Sequence, residues 1–433
     1  MAVKIFYCYA HEDKKLRAEL EKHLGILKQQ KLITEWSDRD INAGAEWAKE
    51  VDSNLNTANI ILLLISTDFV NSEYCYSIEM KRALERHKNG TARVIPIILR
   101  HVDHEGALFS HLQALPTDKI PITDRKWRNR DEAFLDVSKG IRKVVKELLC
   151  EQWLEEGNIH FYRQQYSEAL EAFEQAICLD HTNALAFIGK GQTLIHLASN
   201  SEDDLLIDEH SYYASALTAF EQAISLDATI AIAYEGKARA FFGTSWWGKE
   251  KEILEIFEQA IFLAPKNESV YIGQGEAFMR FAHYNDALVA YEKAIEVAPF
   301  PNYGAYRGRE EALIRLQRYE DALATCELSI QKFPNNNGYS YCNKGEALYK
   351  LKRYQEALAA YNKAFSLGIK SAPCYVTLGD ILCQLFDYQK ALDAYEQAIH
   401  LDYDFADAHE SKGTLLTLLA EEAFRTAKKI RPF

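Results

Sequence analysis

The feature that most constrains this chain is an internal repeat. From residue 150 onward a bulky residue is followed three positions later by a small one, in the series Phe173/Ala176, Phe220/Ala223, Phe257/Ala260, Tyr291/Ala294, Cys326/Ser329, Tyr361/Ala364, Tyr395/Ala398 and Phe424/Ala427. Another alanine usually stands four positions before the bulky residue: Ala169, Ala216, Ala287, Ala322, Ala357, Ala391 and Ala420. The underlying period is about 34 residues. A unit that short cannot bury an apolar face alone, so its helices must stack on those of its neighbours. With 433 residues the chain is in any case too long for one core. About eight repeats are expected over residues 150–433, with residues 1–149 as a separate domain.

Departures from the period predict where loops leave the stack. Repeat two carries about 13 extra residues near 199–211, around the acidic run Ser199-Asn200-Ser201-Glu202-Asp203-Asp204. Repeat three carries a smaller insertion near 243–250, where Trp246 and Trp247 stand between Gly243 and Gly248, either as an interface anchor or packed back on their own hairpin. The last repeat is about five residues short and ends in Lys428, Lys429 and Arg431, which suits a cap. The first helices of the hairpins present Glu276, Glu311, Glu346 and Asp380, with Arg280, Arg315 and Lys350 four residues after the first three, the spacing of helix-stabilising surface pairs.

The charge is unevenly divided. Residues 1–149 hold 24 Lys+Arg against 22 Asp+Glu and the remainder 26 against 41, so the acidic excess lies in the repeats and argues against nucleic-acid binding there. The eight cysteines form no C-x-x-C pair and read as reduced thiols. Charged residues interrupt the N-terminus, and the longest aliphatic run, Ile60 to Ile65, is far too short to span a membrane. A cytoplasmic protein without a membrane segment is expected.

Residues 1–149 alternate short apolar runs with polar-faced helical stretches, the pattern of a parallel sheet wrapped by helices. Strands are expected at Val3–Tyr7, Leu32–Glu35, Asn59–Ile65, Arg93–Leu99 and Lys119–Ile122, and helices at Lys14–Lys28, Ala45–Asn54, Ser77–His87 and Arg130–Leu148. Five strands connected this way favour a flavodoxin-like order 2-1-3-4-5, whose ligand crevice lies outside the carboxyl ends of strands 1 and 3. The loops there hold Tyr9-Ala10-His11-Glu12-Asp13 and Ser66 through Glu79. No G-x-G-x-x-G, P-loop, HExxH, G-x-S-x-G or Cys/His ligand cluster occurs, which argues against a dinucleotide dehydrogenase, a P-loop NTPase and a metal site. What remains is a carboxylate, Glu79, among hydroxyls and aromatics. Its bland reading is a solvated helix glutamate, and Glu73 is the nearest rival.

The repeat series resembles the tetratricopeptide (TPR) repeat, with Gly345-Glu346-Ala347-Leu348-Tyr349 and Arg353-Tyr354-Gln355-Glu356-Ala357-Leu358 near its consensus. The Lys/Asn pattern that similar repeats use to clamp a peptide carboxylate is missing. Residues 1–149 resemble the Toll/interleukin-1 receptor (TIR) domain in its bacterial branch. The resemblance rests on Phe6-Tyr7-Cys8-Tyr9-Ala10-His11-Glu12-Asp13, with Cys8 where a serine is usual, on Trp36 through Trp47, and on Ser66-Thr67-Asp68-Phe69 followed by Ser72-Glu73-Tyr74-Cys75-Tyr76-Ser77-Ile78-Glu79. It implies a flavodoxin-like α/β domain followed by an all-α superhelical solenoid.

The resemblance also implies an activity. Enzymatic TIR domains break the nicotinamide–ribose bond of NAD+, with the glutamate matching Glu79 as the required residue. Tyr9, His11, Asp38, Arg39, Trp47, Ser72, Tyr74 and Cys75 are carried over as pocket lining, with NAD+ as substrate and no further cofactor or metal. The aromatic many relatives place four residues before the glutamate is replaced by Cys75, so either Tyr74 or Tyr76 would stack on the substrate. The expectation is an NAD+ hydrolase or cyclase of a bacterial antiviral type. Its activity would depend on TIR self-association into an oligomer or filament, driven by an unknown protein or signal bound by the repeats. The alternatives are a non-enzymatic adaptor that only assembles partners, and a nucleoside-cleaving hydrolase on the same scaffold.

Overall fold

The computed structural model describes residues 1–36, 47–103, 105–200, 209–244 and 247–430. By internal contacts the chain divides into two compact units, Met1–Leu197 and Ala198–Phe433. No described helix is long and apolar enough to cross a membrane.

In the first unit β1 (Val3–Tyr9), β2 (Ile33–Trp36), β3 (Ile60–Ile65) and β4 (Arg93–Ile98) form one parallel sheet in the order β2-β1-β3-β4. Every residue of β3 is buried, as a central strand covered on both faces requires. Residues of β1 alternate between two cores. Val3, Ile5 and Tyr7 face α1 (Lys14–His23), α2 (Gly25–Gln29) and α6 (Arg130–Tyr162), meeting Leu20, Leu27, Phe134, Val137 and Ile141. Phe6, Cys8 and Ala10 face α3 (Trp47–Thr57), α4 (Thr67–Asn71) and α5 (Met80–Lys88), meeting Val51, Leu55, Phe69, Met80 and Ala83.

The expected fifth strand is not a strand. Beside β4 runs an irregular segment joined to it by a bridge between Ile97 and Leu115, and by Ile122 and Thr123 N–H groups donating to the Ile98 and Leu99 carbonyls. Pro116 and Pro121 each remove a ladder donor, and Asp118 and Lys119 turn left-handed at φ 59° and 55°, so the edge cannot stay extended. The sheet has four strands among the described residues, and the doubly wound arrangement is otherwise as expected.

Helix α6 starts at Asn129, whose side chain accepts from the Glu132 N–H. It runs 33 residues without a break, through the position where the repeat period begins. Its last turns pair with α7 (Tyr166–Leu179) as a hairpin. The helices that follow are α8 (Ala184–Asn200), α9 (Glu209–Leu226), α10 (Ala231–Gly243), α11 (Glu250–Leu263), α12 (Glu268–Arg280), α13 (Tyr284–Val297) and α14 (Tyr303–Arg315). They continue as α15 (Tyr319–Lys332), α16 (Gly338–Lys350), α17 (Tyr354–Ser366), α18 (Ala372–Gln384), α19 (Tyr388–Leu401) and α20 (Ala406–Ile430).

The repeat period is a packing rule. In four hairpins the aromatic of the second helix lies on a glycine of its own first helix: Phe173 on Gly157, Tyr291 on Gly275, Tyr361 on Gly345 and Tyr395 on Gly379; Phe220 and Phe257 lie on Gly236 and Gly273 of the helix that follows. A Cβ on any of the first four glycines would stand between 2.4 and 2.8 Å from the ring. The hairpin α14–α15 breaks the rule on both sides at once, with Glu310 in the glycine's place and Cys326 in the aromatic's. Glu310 is fully buried and accepts from Ser340 Oγ and Asn343 Nδ2, both at 2.9 Å. Burial pushes its carboxyl up, and those hydrogen bonds oppose the shift.

Successive hairpins are joined by a recurring ion pair, in which the glutamate after the aromatic meets a base just before the next helix's glycine position. Lys237 meets Glu221 at 3.1 Å, Arg309 meets Glu292 at 3.4 Å, and Lys344 and Lys412 meet Glu327 and Glu396 at 2.9 Å. Of the predicted pairs within one helix, Glu311–Arg315 forms at 3.9 Å, whereas Glu276 reaches Arg239 on a neighbouring helix at 3.6 Å. Trp247 is 80 % exposed at the rim of a cleft with Lys251, Arg280 and Phe281. Trp246 and most of the acidic insertion lie outside the described residues.

The eighth hairpin does not form. Residues 406–430 are one helix, α20. The tight turns of other hairpins place a residue in the left-handed region, at Gln164, Ala282, Gln317, Lys352 and Phe386. The shortened eighth repeat has lost that turn, and the run Leu415-Leu416-Thr417-Leu418-Leu419-Ala420-Glu421-Glu422 consists mainly of strong helix formers.

Candidate active site

The carboxyl ends of β1 and β3 open into a pocket of about 540 Å³. Its walls include Tyr9, Ala10, His11 and Glu12 from the β1 side, and Asp68, Ser72, Tyr74, Cys75 and Glu79 from the β3 side.

Local sequence explains the second wall. Ser66 ends β3 and caps α4, its hydroxyl accepting from the Phe69 N–H at 3.1 Å. Ser72 then accepts from the Cys75 N–H at 3.3 Å and starts a wide π-helical turn, Tyr74–Glu79, which leads into α5. Turns of this kind inside α-helices recur at functional sites. Cys75 and Glu79 face inward from it, while Ile78 between them is half exposed.

Glu79 is only 6 % exposed, so it is not a solvated helix glutamate, whereas Glu73 faces solvent. The Cys8 thiol on β1 donates to Glu79 Oε2 at 2.7 Å. Burial first, and then the Glu79 charge, push the Cys8 thiol well up, so it stays protonated as a donor. The Cys75 thiol donates to the Tyr9 carbonyl at 3.4 Å. The Tyr74 hydroxyl is pushed up to about 12 by burial, then by Glu79, and remains a neutral donor near neutral pH.

A second network holds the two loops together. Ser66 Oγ donates to the fully buried Asp13 at 2.5 Å, and Arg100 reaches Asp13 at 2.9 Å and Asp68 at 2.7 Å. Burial raises the Asp13 carboxyl, opposed by the Ser66 hydrogen bond and the Arg100 charge. On the opposite face of β1 the Arg17 guanidinium lies 4.9 Å from the centre of the Tyr9 ring, which orients that residue.

Of the residues read from the sequence, Glu79, Tyr9, His11, Ser72, Tyr74 and Cys75 line this one pocket. Trp47 begins α3, with its side chain outside the described residues, and Asp38 and Arg39 lie outside them altogether. Cys8 was missed as a site residue. The signal was available, because strand alternation turns Cys8 toward the helix that carries Glu79. Among the described residues no group of three or more His, Cys, Asp or Glu is placed to hold a metal ion.

A family model of the TIR domain matches residues 5–133. The N-terminal domain is a TIR domain. Two models of the tetratricopeptide repeat match residues 272–337 and 340–404, so the chain carries TPR repeats behind its TIR domain. The uncharacterized protein y4lF of Sinorhizobium fredii (strain NBRC 101917 / NGR234) is 51% identical over 141 residues, covering 33% of this chain and 43% of that protein. The chain therefore spans less than half the length of that relative. Among solved structures, a tetratricopeptide repeat protein from Parabacteroides merdae ATCC 43184 is similar at 16% identity and a TM-score of 0.45, covering 62% of this chain and 99% of that one. The TPR protein YrrB is similar at 21% identity and a TM-score of 0.35, covering 46% and 99%.

Proposed function

We propose that the TIR domain hydrolyses NAD+ at the nicotinamide–ribose bond, with Glu79 as the catalytic carboxylate. The observation that carries this reading is the buried carboxylate of Glu79, the one acidic side chain among the described lining residues of the switch-point pocket that is buried, steadied by the Cys8 thiol at 2.7 Å. In NAD+ the nicotinamide is already cationic on the ribose and departs neutral, so cleavage needs no proton donor to the leaving group. One carboxylate beside the ribose can hold its hydroxyls and stabilise the oxocarbenium character of the transition state, after which water or an internal nucleophile completes a linear or cyclic ADP-ribose product. An O-glycosidase, by contrast, needs a second carboxyl as acid. Glu12 on the pocket wall adds negative potential that favours a pyridinium ring.

In this reading the TPR array is the controlling part. It would bind a protein or other signal, or assemble copies of the chain, and so bring TIR domains together in a cytoplasmic, antiviral type of response. The test is to incubate the purified full chain with NAD+ under crowding, with and without phage-infected lysate, and to measure nicotinamide. Release by the native protein and its loss in Glu79→Gln supports the proposal. No release, or equal release by both, leaves the TIR domain as an assembly scaffold. Release of a base from simple nucleosides but not from NAD+ would move the reading to a nucleoside hydrolase.

A further inference from the structure

The glycine–aromatic pairing of four hairpins is broken in α20 in a complementary way. Gly413 stands in register with Gly345 and Gly379, each of which carries an aromatic ring of its own hairpin, yet nothing lies within 4 Å of the Cβ position at Gly413. Phe424 is the aromatic that the pattern assigns to it, and it is 71 % exposed. One helix thus holds an empty seat and an unseated ring. They lie about 16 Å apart along the axis and within about 20° of the same face, so they cannot meet within one copy.

We propose that α20 pairs antiparallel with α20 of a second copy, so that Phe424 of each chain occupies the Gly413 seat of the other. The two halves are complementary by origin. Residues 406–419 are a first helix already packed on α18 and α19 through Ala408 and Leu415, while Ala420, Phe424 and Ala427 keep the spacing of a second helix. The contact is therefore the one this chain makes repeatedly within itself, continuing the face of the array with a partner in place of the lost fold-back. It is isologous, each chain giving and receiving the same residue, as a closed dimer requires. Changes in a hinge loop favour such an exchange between copies. Charge agrees, because antiparallel packing brings the basic Lys428 and Lys429 of one copy against the acidic start of the other, at Asp404, Asp407 and Glu410. The exposed Leu416 lies near the middle of the helix, at the edge of the Gly413 and Phe424 face.

The inference is independent of the NAD+ reading. The experiment measures the mass of the full chain in solution at micromolar concentrations. The expected result is about twice the 49.5 kDa of one chain, falling to one chain in Phe424→Ala with unchanged helical content. A second variant repairs the hairpin. A copy of Phe386-Asp387-Tyr388-Gln389-Lys390 inserted between Leu419 and Ala420 restores the missing turn, lets Phe424 return to its own Gly413, and should give a well-folded monomer. Mixed Gly413→Cys and Phe424→Cys proteins should also form a disulfide between chains under mild oxidation, faster than either alone. A monomer at all concentrations, or a dimer that survives both Phe424→Ala and the inserted turn, overturns the proposal. Glu79→Gln should leave the mass unchanged, which keeps this outcome separate from that of the catalytic test.

Discussion

The thiol of Cys8 and the carboxylate of Glu79 meet at 2.7 Å across the gap between β1 and the helix after β3. A buried carboxylate without a donor is costly, and this contact supplies one. In the proposed reaction Glu79→Gln should lower kcat by about 100-fold or more, since it removes the charge that stabilises the transition state. Cys8→Ala should cost about 10-fold, while Cys8→Ser, which keeps a donor, should stay near native activity. Nicotinamide release by the three variants, with folding checked by circular dichroism, decides this.

Arg100 is the cation between Asp13 and Asp68. Arg100→Ala leaves the fully buried Asp13 with Ser66 as its remaining close partner and should destabilise the TIR domain by about 1–3 kcal/mol. Because the two loops it joins form the pocket, KM for NAD+ in the proposed reaction should rise more than kcat falls. Urea unfolding and steady-state kinetics measure the two effects.

Glu310 and Cys326 are a matched exchange for the glycine and aromatic of four other hairpins. Glu310→Gly alone leaves a cavity, removes the acceptor of Asn343 and takes one of the partners of Ser340, for a loss of about 2–4 kcal/mol. Cys326→Tyr alone drives a ring into the Glu310 side chain. The double variant restores the pattern of the neighbouring hairpins, and its stability should exceed the sum of the single effects by more than about 1 kcal/mol. A double-mutant cycle on thermal or urea unfolding tests this.

The same carboxyl predicts a pH dependence. Burial raises Glu310 above its ordinary value of 4.5, so the folded array holds that proton more tightly than the unfolded chain does. Its contribution is fully present below the unfolded value and is lost as pH rises through the folded one. Glu310→Gln removes this dependence. The stability of native protein relative to Glu310→Gln should therefore fall as pH is raised from about 4.5 toward neutrality. The difference between the two unfolding midpoints across that range is the measurement.

The parts legible in the sequence were those set by periodicity. Alternation placed β1 to β4, the repeat placed the hairpins, and the order of the strands placed Glu79 at the crevice. What escaped depended on features without a period. The segment at Lys119–Ile122 looked like a strand by composition, but two prolines and two left-handed residues govern it. The eighth repeat kept its side-chain spacing and lost only its turn, and in a run of helix formers that decides whether a hairpin exists. Cys8 was read as a departure from a family box, when its importance lay in which face of β1 it occupies. Glu310 was invisible because its meaning depends on Cys326, a second-helix residue whose partnership appears only on packing.

The unbroken course of α6 gives the first unit a mechanical property that a tethered pair of modules would lack. The rod that lies under β1, through Phe134, Val137 and Ile141, is the one whose far end forms half of the first repeat hairpin. Tyr7 rests on that side of β1, and the adjacent Cys8 touches Glu79 on the other. β1 thus lies between the two, with Tyr7 packed toward the helix that begins the first hairpin and Cys8 against the carboxylate.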